Sequence, residues 1–235
     1  MSARNRRLAL FAPLFALPLV LTACDVDVDG GDAEKKTTTY DVSQPVRSLK
    51  VDSAAGNVKV TEADVTSVKV VEKQHYDSTA PTTTHDVSGD GLLTLDYTCA
   101  SRKACFVAYE VTIPRGGTAI DVRTDAGNVT LRDVTGPLNL HTSAGKIDGE
   151  NVGSSKVTAR TTAGSIDIAF TKAPTDVDAE TDAGRATVRV PGDGTYAADV
   201  TTTVGNADVE VRRDDASPHR IRVHTGAGQA RLLTS

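Results

Sequence analysis

The sequence predicts an all-β chain that folds as one β-solenoid, a β-helix-like coil of about seven rungs. A Thr-x-Ala-Gly motif recurs, and after a first gap of 71 residues its glycines are spaced 18, 19, 20, 21 and 23 residues apart. Apolar and polar residues alternate on both sides of the motif, which indicates half-buried strands rather than helices. Aromatic residues make up only 4% of the chain, as a narrow interior filled by small aliphatic side chains requires. Repetition at this period is typical of stacked units, because one unit cannot bury its apolar face without a neighbour.

Residues 1–23 are predicted to be a targeting segment. Arg4, Arg6 and Arg7 form a positive region, and the apolar stretch 8–20 is too short and too interrupted by proline to be a stable membrane-spanning helix. The segment ends in Leu-Thr-Ala-Cys, which resembles the lipobox of bacterial lipoproteins and implies lipidation of Cys24. The alternative is an ordinary signal peptide with a chance cysteine.

Lipidation at Cys24 would hold the mature protein at the extracytoplasmic face of the cell membrane, because an acylated cysteine buries its chains in the bilayer. Removing residues 1–23 takes away three arginines and no acidic residue, so the formal net charge changes from -5 to -8. Such an acidic chain has no basic stripe for phosphate contacts, and we expect no nucleic-acid partner.

Residues 24–45 are predicted to be a flexible acidic tether, because their low hydrophobicity and high charge do not favour a packed structure. Asp25, Asp27 and Asp29 match the start of an EF-hand loop. The twelfth position is Lys36 rather than a bidentate glutamate, however, and helical flanks are missing. We therefore expect a solvated spacer and no metal site.

Residues 46–235 are predicted to form the β-solenoid domain, in which each unit is a strand, a Thr-x-Ala-Gly corner and a second strand. The Thr or Ser three residues before each glycine falls on the inward face. Glycine at the corner permits either a positive φ or a close approach of two backbones. The corner glycines are Gly56, Gly127, Gly145, Gly164, Gly184, Gly205 and Gly228. We expect the last of them to form the open end, with nearby arginines protecting its edge.

Residues 61–118 interrupt the repeat and are predicted to form an antiparallel insertion that caps the solenoid. Cys99 and Cys105 flank a polar loop between two alternating stretches, which we interpret as a hairpin. Export into an oxidising compartment favours a disulfide between them. Free thiols and metal ligands are the alternatives, but two cysteines are too few for a zinc site.

The stretch Val111-Thr112-Ile113-Pro114-Arg115-Gly116, followed by repeated Thr-x-Ala-Gly-x-Val units, resembles the bacterial putative-adhesin family of surface β-solenoid domains. The resemblance covers roughly residues 46–235. It implies a β-solenoid at the cell envelope, and it implies no catalytic residues.

The sequence contains no pattern that predicts catalysis or a cofactor. A Gly-x-Ser-x-Gly nucleophile motif is missing, and the glycine-rich stretch 226–231 lacks both the third glycine and the helix of a dinucleotide site. No two histidines have a metal-binding spacing, and we expect each to be solvated. They are His75, His85, His141, His219 and His224.

Two outward rows of polar side chains are expected to line the corners if the rungs stack in register. Such rows could bind a glycan, or they could reflect only the turn preferences of Asn, Asp, Ser and Thr. The row after the glycines is Asn57, Asn128, Lys146, Ser165, Arg185, Asn206 and Gln229. The row two residues before them is Ala54, Asp125, Ser143, Thr162, Asp182, Thr203 and Gly226.

These observations favour a non-enzymatic, lipid-anchored surface protein whose solenoid presents a rigid face for adhesion or envelope interaction. The partners left open are a cell-wall polymer, an envelope protein and another copy of the chain. The alternatives are a polysaccharide-active β-helix enzyme, which needs convergent acidic and basic side chains in a cleft, and a structural or envelope-stress-sensing protein.

Overall fold

The computed structural model describes residues 34–100 and 104–235. The predicted signal peptide 1–23, the lipidation site Cys24 and the first part of the tether, 24–33, lie outside the described residues and stay predictions. The described residues are all-β, with fifteen strands in one 15-stranded sheet. None of them forms a helix that is long and apolar enough to cross a membrane.

The strands follow the alternating pattern of the sequence, and their bounds set out the repeat. The first seven are β1 (Glu34–Val42), β2 (Ser48–Ala55), β3 (Val58–Ala63), β4 (Val68–Tyr76), β5 (Thr82–Val87), β6 (Leu92–Thr98) and β7 (Phe106–Pro114). The others are β8 (Ala119–Ala126), β9 (Val129–Arg132), β10 (Leu138–Ala144), β11 (Ile147–Val152), β12 (Lys156–Phe170), β13 (Asp176–Val190), β14 (Ala197–Val209) and β15 (Arg220–Thr234).

Each rung has two arms joined at the Thr-x-Ala-Gly corner. The first arm, before the glycine, stacks β2, β8, β10 and the first halves of β12, β13, β15 and β14 in parallel. The second arm, after the glycine, stacks β3, β9, β11 and the second halves of the same long strands. Inward positions of both arms meet in one buried core of Val, Ile, Leu and Ala.

The corner glycines are required by close approach between neighbouring rungs. A Cβ on Gly164 would lie 2.0 Å from the carbonyl oxygen of Gly145, and one on Gly184 would lie 1.7 Å from that of Gly164. The same clash, at 2.2 Å or less, occurs at Gly56, Gly127, Gly145, Gly205 and Gly228. No other residue fits, since the obstacle is backbone and cannot rotate away.

A ladder of buried hydroxyl groups lies just inside the corners. Thr142 Oγ1 donates to the Gly127 carbonyl oxygen at 3.1 Å, and Thr181 Oγ1 donates to that of Gly164 at 3.3 Å. Five inward threonines are at most 3% exposed, whereas Thr202 on the edge strand β14 is half-buried and accepts a hydrogen bond from Thr225. Each of the other buried corner hydroxyls supplies a partner to a carbonyl oxygen beside the core, where an unpaired polar group would be costly.

The strands β6 and β7 do not form the hairpin predicted from the cysteine-flanked loop. β6 pairs in parallel with β2, and β7 pairs in parallel with β3, so each extends a different arm. Together they form one more rung, which makes eight levels against the seven predicted. We call it the disulfide rung, because the loop closed by Cys99–Cys105 (S–S 2.02 Å) replaces the glycine corner.

Antiparallel strands cover the outer side of the disulfide rung. β5 pairs with β6 on the first arm, and β4 followed by β1 pairs with β7 on the second arm. Within 61–118, β4 and β5 thus form only antiparallel pairs as predicted, whereas β6 and β7 pair antiparallel on their outer side and in parallel with the repeat on their inner side. The described part of the predicted tether differs as well, because residues 34–42 form β1. Its Val42 is buried and its Tyr40 donates a hydrogen bond to Glu72, so β1 has packing partners that the tether prediction ignored.

The expectation that Gly228 marks the open end is wrong. β15 lies between β13 and β14, so the sixth corner, Gly205, is outermost. Burial explains why β15 lies inside β14 in the stack, because the inward Ile221 and Leu232 of β15 are at most 1% exposed. The edge strand has smaller inward residues, and its corner Val204 is 68% exposed. The arginines expected to protect the edge therefore lie on an inner strand.

Candidate functional site

The row after the corner glycines is in register, as the sequence analysis required for a continuous polar ladder. Asn57 Oδ1 accepts the backbone N–H of Asn128 at 2.9 Å, and Asn128 Oδ1 accepts that of Lys146 at 2.8 Å. Further along, Arg185 Nε donates to Gln229 Oε1 at 3.1 Å. The amide oxygens of Asn57 and Asn128 therefore bind backbone N–H groups of the next rung. The two side chains are exposed, so their NH₂ groups lie at the surface.

The row two residues before the glycines shows no comparable network in the described part of the chain. Its members are strand residues that are mostly exposed, and Gly226 lies close to the backbone of Asp182.

The outer face of the first arm carries paired charges. Arg222 Nη1 lies 2.9 Å from Asp178 Oδ1, and Arg160 Nη2 lies 2.5 Å from Asp178 Oδ2. Glu180 is 3.4 Å from Arg160 Nε. Both carboxylates are therefore within ion-pair distance of Arg160 and Arg222 on this face.

The histidines take separate positions. His75 stacks on Phe106, and the His85 ring is tilted by 35° against that of Tyr40, each pair with ring centroids 4.5 Å apart. The ring Nδ1 atoms of His219 and His224 contact a backbone carbonyl and a threonine hydroxyl respectively, and His141 is half-buried. Within residues 34–100 and 104–235, no group of three or more His, Cys, Asp or Glu side chains could hold a metal ion.

A concave feature lies where the disulfide rung meets the first glycine corner. It is a groove of about 680 Å³ on the outer face of the second arm, crossing β4, β7, β3 and β9. We call it the junction groove. Its outward side chains are His75, Phe106, Ala108, Asn57, Asn128 and Lys59, with Lys73 and Glu110 at the rim.

The strand register explains why a groove forms at this place. His75 faces Phe106 across the antiparallel β4–β7 pair, and the next outward pair is Lys73 opposite Ala108. Ala108 is the small residue in this row, so it forms the floor between larger neighbours. The stacked ring pair forms one wall, since its planes are only 13° apart.

The opposite wall is charged. Lys73 Nζ lies 2.6 Å from Glu110 Oε1, and both side chains are nearly half exposed. Lys59 is the register neighbour of Glu110 on β3, and it forms no ion pair with any of the described residues. The groove therefore combines an aromatic wall, two amides and a net positive charge in a chain that is acidic as a whole.

Behind the groove, the inward side of the same strands is unusually polar. Glu72 is 1% exposed and accepts a hydrogen bond of 2.6 Å from the Tyr40 hydroxyl. Burial, and next the hydrogen bond to Glu72, raise the pKa of Tyr40 well above its ordinary value. Burial also raises the pKa of Tyr109, whose hydroxyl and the Gln74 Oε1 atom are buried without a partner in the described residues.

The stacked corners, the two-armed rungs and the covered disulfide rung define a parallel β-solenoid with an antiparallel cap at its N-terminal end. The sequence model of the Toastrack DUF4097 family matches residues 42–231. The chain belongs to this family, and the predicted membership of a putative-adhesin family of β-solenoids is confirmed.

A solved structure with a TM-score above 0.5 supports the fold. A putative cell adhesion protein from Clostridium sporogenes ATCC 15579 is 13% identical, with a TM-score of 0.52, covering 86% of this chain and 100% of that chain. A putative adhesin from Bacteroides fragilis NCTC 9343 is 14% identical, with a TM-score of 0.43, covering 86% and 97%. A search of curated proteins found no match.

Asn57 and Asn128 of this site belong to the polar row that the sequence predicts after the corner glycines. The aromatic wall was not predicted. Phe106 directly follows Cys105 and alternates outward with Ala108, so its outward position could be inferred from the period of two. Its partner His75 could not, because the stacking depends on the antiparallel pairing of β4 with β7.

Proposed function

We propose that the chain is a lipid-anchored surface protein whose solenoid serves as a rigid, non-catalytic binding module for cell-envelope material. The observation that carries this proposal is the junction groove, a concave surface with exposed polar and aromatic side chains on a regular stack of strands. Sites built on strands of a packed scaffold keep their geometry, which lowers the entropy lost on binding.

The anchor is proposed from the lipobox-like residues that end at Cys24. The Cys99–Cys105 disulfide supports an extracytoplasmic location, because disulfides persist in oxidising compartments. The Clostridium sporogenes protein, which shares the fold, is named a putative cell adhesion protein, and this supports a binding role at the surface.

Metabolic labelling with palmitate tests the anchor. We expect label on the wild-type protein and none on a Cys24→Ala variant, which should leave the membrane fraction. Unlabelled wild-type protein in the medium would contradict the anchor, and the binding role would then need a separate test.

Pull-down from intact cells tests the binding role. The lipidated protein should retain cell-wall polymer or a defined envelope protein after crosslinking, and a groove variant with Phe106→Ala and Lys59→Ala should retain much less. A matched variant with Arg185→Ala, on the same corner row but outside the groove, should behave as wild type. Equal recovery by all three proteins would overturn the proposal.

A further inference from the structure

We propose that the junction groove binds a saccharide chain. This inference rests on the proposed function and names the chemical class of its ligand. Three features of the groove carry it: the stacked ring wall, the row of amides along the floor, and the sparse charge at the rim.

The ring wall provides an apolar platform with a flat face. Phe106, the first residue of β7, is only half-buried, and the His75 ring stacks on it with ring centroids 4.5 Å apart. Support from His75 fixes the orientation of the ring before any ligand binds. The face of a pyranose ring, with its C–H groups, packs on such a platform, because the electron-rich face of an aromatic ring attracts weakly positive hydrogens.

The amides provide directional polar contacts beside the platform. Asn57 and Asn128 are held in place because their oxygens accept backbone N–H groups of the next rung. Their orientation leaves the NH₂ groups to donate outward to hydroxyl or carbonyl oxygens of a ligand. Preorganised donors of this kind reduce the ordering cost that weakens most surface contacts.

The floor gives the groove its width. The small Ala108 lies between Lys73 on β4 and Asn57, which directly precedes β3, so the surface between these two longer side chains is low. The four strands β4, β7, β3 and β9 span roughly 14 Å at the usual strand spacing. This length accommodates two or three pyranose rings lying across the strands. A volume of about 680 Å³ lies within the range of small-ligand pockets.

The charges favour a neutral or carboxylate-bearing sugar over other partners. The cations Lys59 and Lys73 outnumber the one carboxylate, Glu110, so an acidic sugar gains an ion pair with Lys59. Nucleic acid needs a long basic stripe, which two lysines do not provide. A docked helix needs a broad apolar surface, and Phe106 and Ala108 are too small for that.

The experiment is isothermal titration of the full lipidated protein in bilayer discs, since glycoside detergents would occupy a saccharide site. The probes are the tetrasaccharide of N-acetylglucosamine, a disaccharide of N-acetylglucosamine and N-acetylmuramic acid, and cellotetraose. We expect at least one probe to bind. Phe106→Ala should weaken that binding at least tenfold, Lys59→Ala should weaken it less, and Arg185→Ala should leave it unchanged.

Circular dichroism before each titration keeps the test interpretable. If Phe106→Ala does not fold, Phe106→Leu retains the volume and removes the flat ring, and the same loss of affinity is expected. Absence of binding by every probe, or binding unaffected by the groove variants, would overturn the saccharide proposal. Capture of an envelope protein through the groove in the pull-down would also overturn it, while leaving the proposed function in place.

Discussion

The connection between the two arms of a rung is built in two different ways in this molecule. In the seven repeat rungs, glycine lets each corner contact the next, and an inward threonine or serine lines the turn. In the disulfide rung, the loop between Cys99 and Cys105 makes the turn, and the neighbouring Gly56 contacts the backbone of Val107 rather than another glycine. The repeat rungs present uniform rows, whereas the groove lies beside the disulfide rung. The regular repeat rungs thus form the scaffold, and the candidate site lies where the disulfide rung interrupts the repeat.

The interiors of the two regions differ as well. The repeat rungs bury mainly aliphatic residues such as Ile166 and Ile168, and buried polar groups such as Glu62 and the Thr181 hydroxyl have hydrogen-bond partners. The cap buries Glu72 and Gln74, and the Gln74 Oε1 atom has no partner among the described residues. A buried polar group without a partner costs about 1–3 kcal/mol. We therefore expect the cap to open locally before the repeat rungs do.

The largest effect should come from breaking a glycine corner. Gly184→Ala places a Cβ 1.7 Å from the Gly164 carbonyl oxygen, and two stacked backbones must separate to admit it. We expect a loss of about 4 kcal/mol or more in the free energy of unfolding, or no folding. Urea unfolding followed by circular dichroism measures it.

Gly89→Ala is the control for this prediction. A Cβ at residue 89 meets no atom within 4 Å, so the free energy of unfolding should change by less than about 0.5 kcal/mol. Equal stabilities of the two variants would show that the corner contacts do not hold the stack together.

Breaking the disulfide corner should have a smaller effect. The bridge has a sequence separation of 6, and closing such a short loop contributes about 2.4 kcal/mol in the chain-entropy model. A Cys99→Ser and Cys105→Ser double variant should lose roughly that much stability and should also bind less tightly in the groove, since Phe106 follows Cys105. Unchanged urea unfolding would mean that strand pairing alone holds this rung.

Removing one corner hydroxyl should lower the free energy of unfolding less than removing the disulfide does. Thr142→Val keeps the branched shape and deletes the hydrogen bond to the Gly127 carbonyl oxygen, so we expect a loss of about 1 kcal/mol. Thr158→Val, on an outward position of the neighbouring strand β12, is the matched control and should be nearly neutral. A loss at Thr158 as large as that at Thr142 would contradict a special role for the corner ladder.

The smallest effect on the free energy of unfolding at neutral pH is expected from the Tyr40 hydroxyl of the cap. The folded-state pKa of Tyr40 is raised, chiefly by burial, above the unfolded value of about 10. Its contribution to stability is therefore complete below about pH 10. It is lost as the pH rises further, because the unfolded chain then releases the proton first.

Urea midpoints at about pH 9 and about pH 11 test this behaviour. We expect the wild type to lose more stability between the two conditions than a Tyr40→Phe variant does. An equal loss in both proteins would show that Tyr40 ionises as freely in the folded state as in the unfolded chain.

Much of the fold could be predicted from the sequence, because the repeat is local and periodic. The alternation around Gly164 and Gly184 predicts both arms and the corner between them, and the inward Thr181 follows from the same period. The disulfide could be predicted because two cysteines remain in a chain whose first residues predict export. What the periodicity cannot specify is which rung lies next to which.

The errors all concern pairing between distant segments. β14 and β15 have the same alternation, and only the larger inward residues of β15, such as Leu232, indicate that it is the inner strand. The strand β1 was predicted as tether because Lys35 and Lys36 suggest a solvated chain, yet Tyr40 finds a partner on β4. The groove was missed for the same reason, since His75 and Phe106 are brought together by pairing alone.

The most direct test of the account is hydrogen–deuterium exchange of the full protein in bilayer discs, with and without the saccharide that binds in the titration. The claim is that the junction beside the disulfide rung is the binding surface and the repeat rungs are its scaffold. We predict slower exchange confined to the strands of the groove, β4, β7, β3 and β9. Slower exchange along β12, β13 and β15, with the groove unchanged, would contradict the claim.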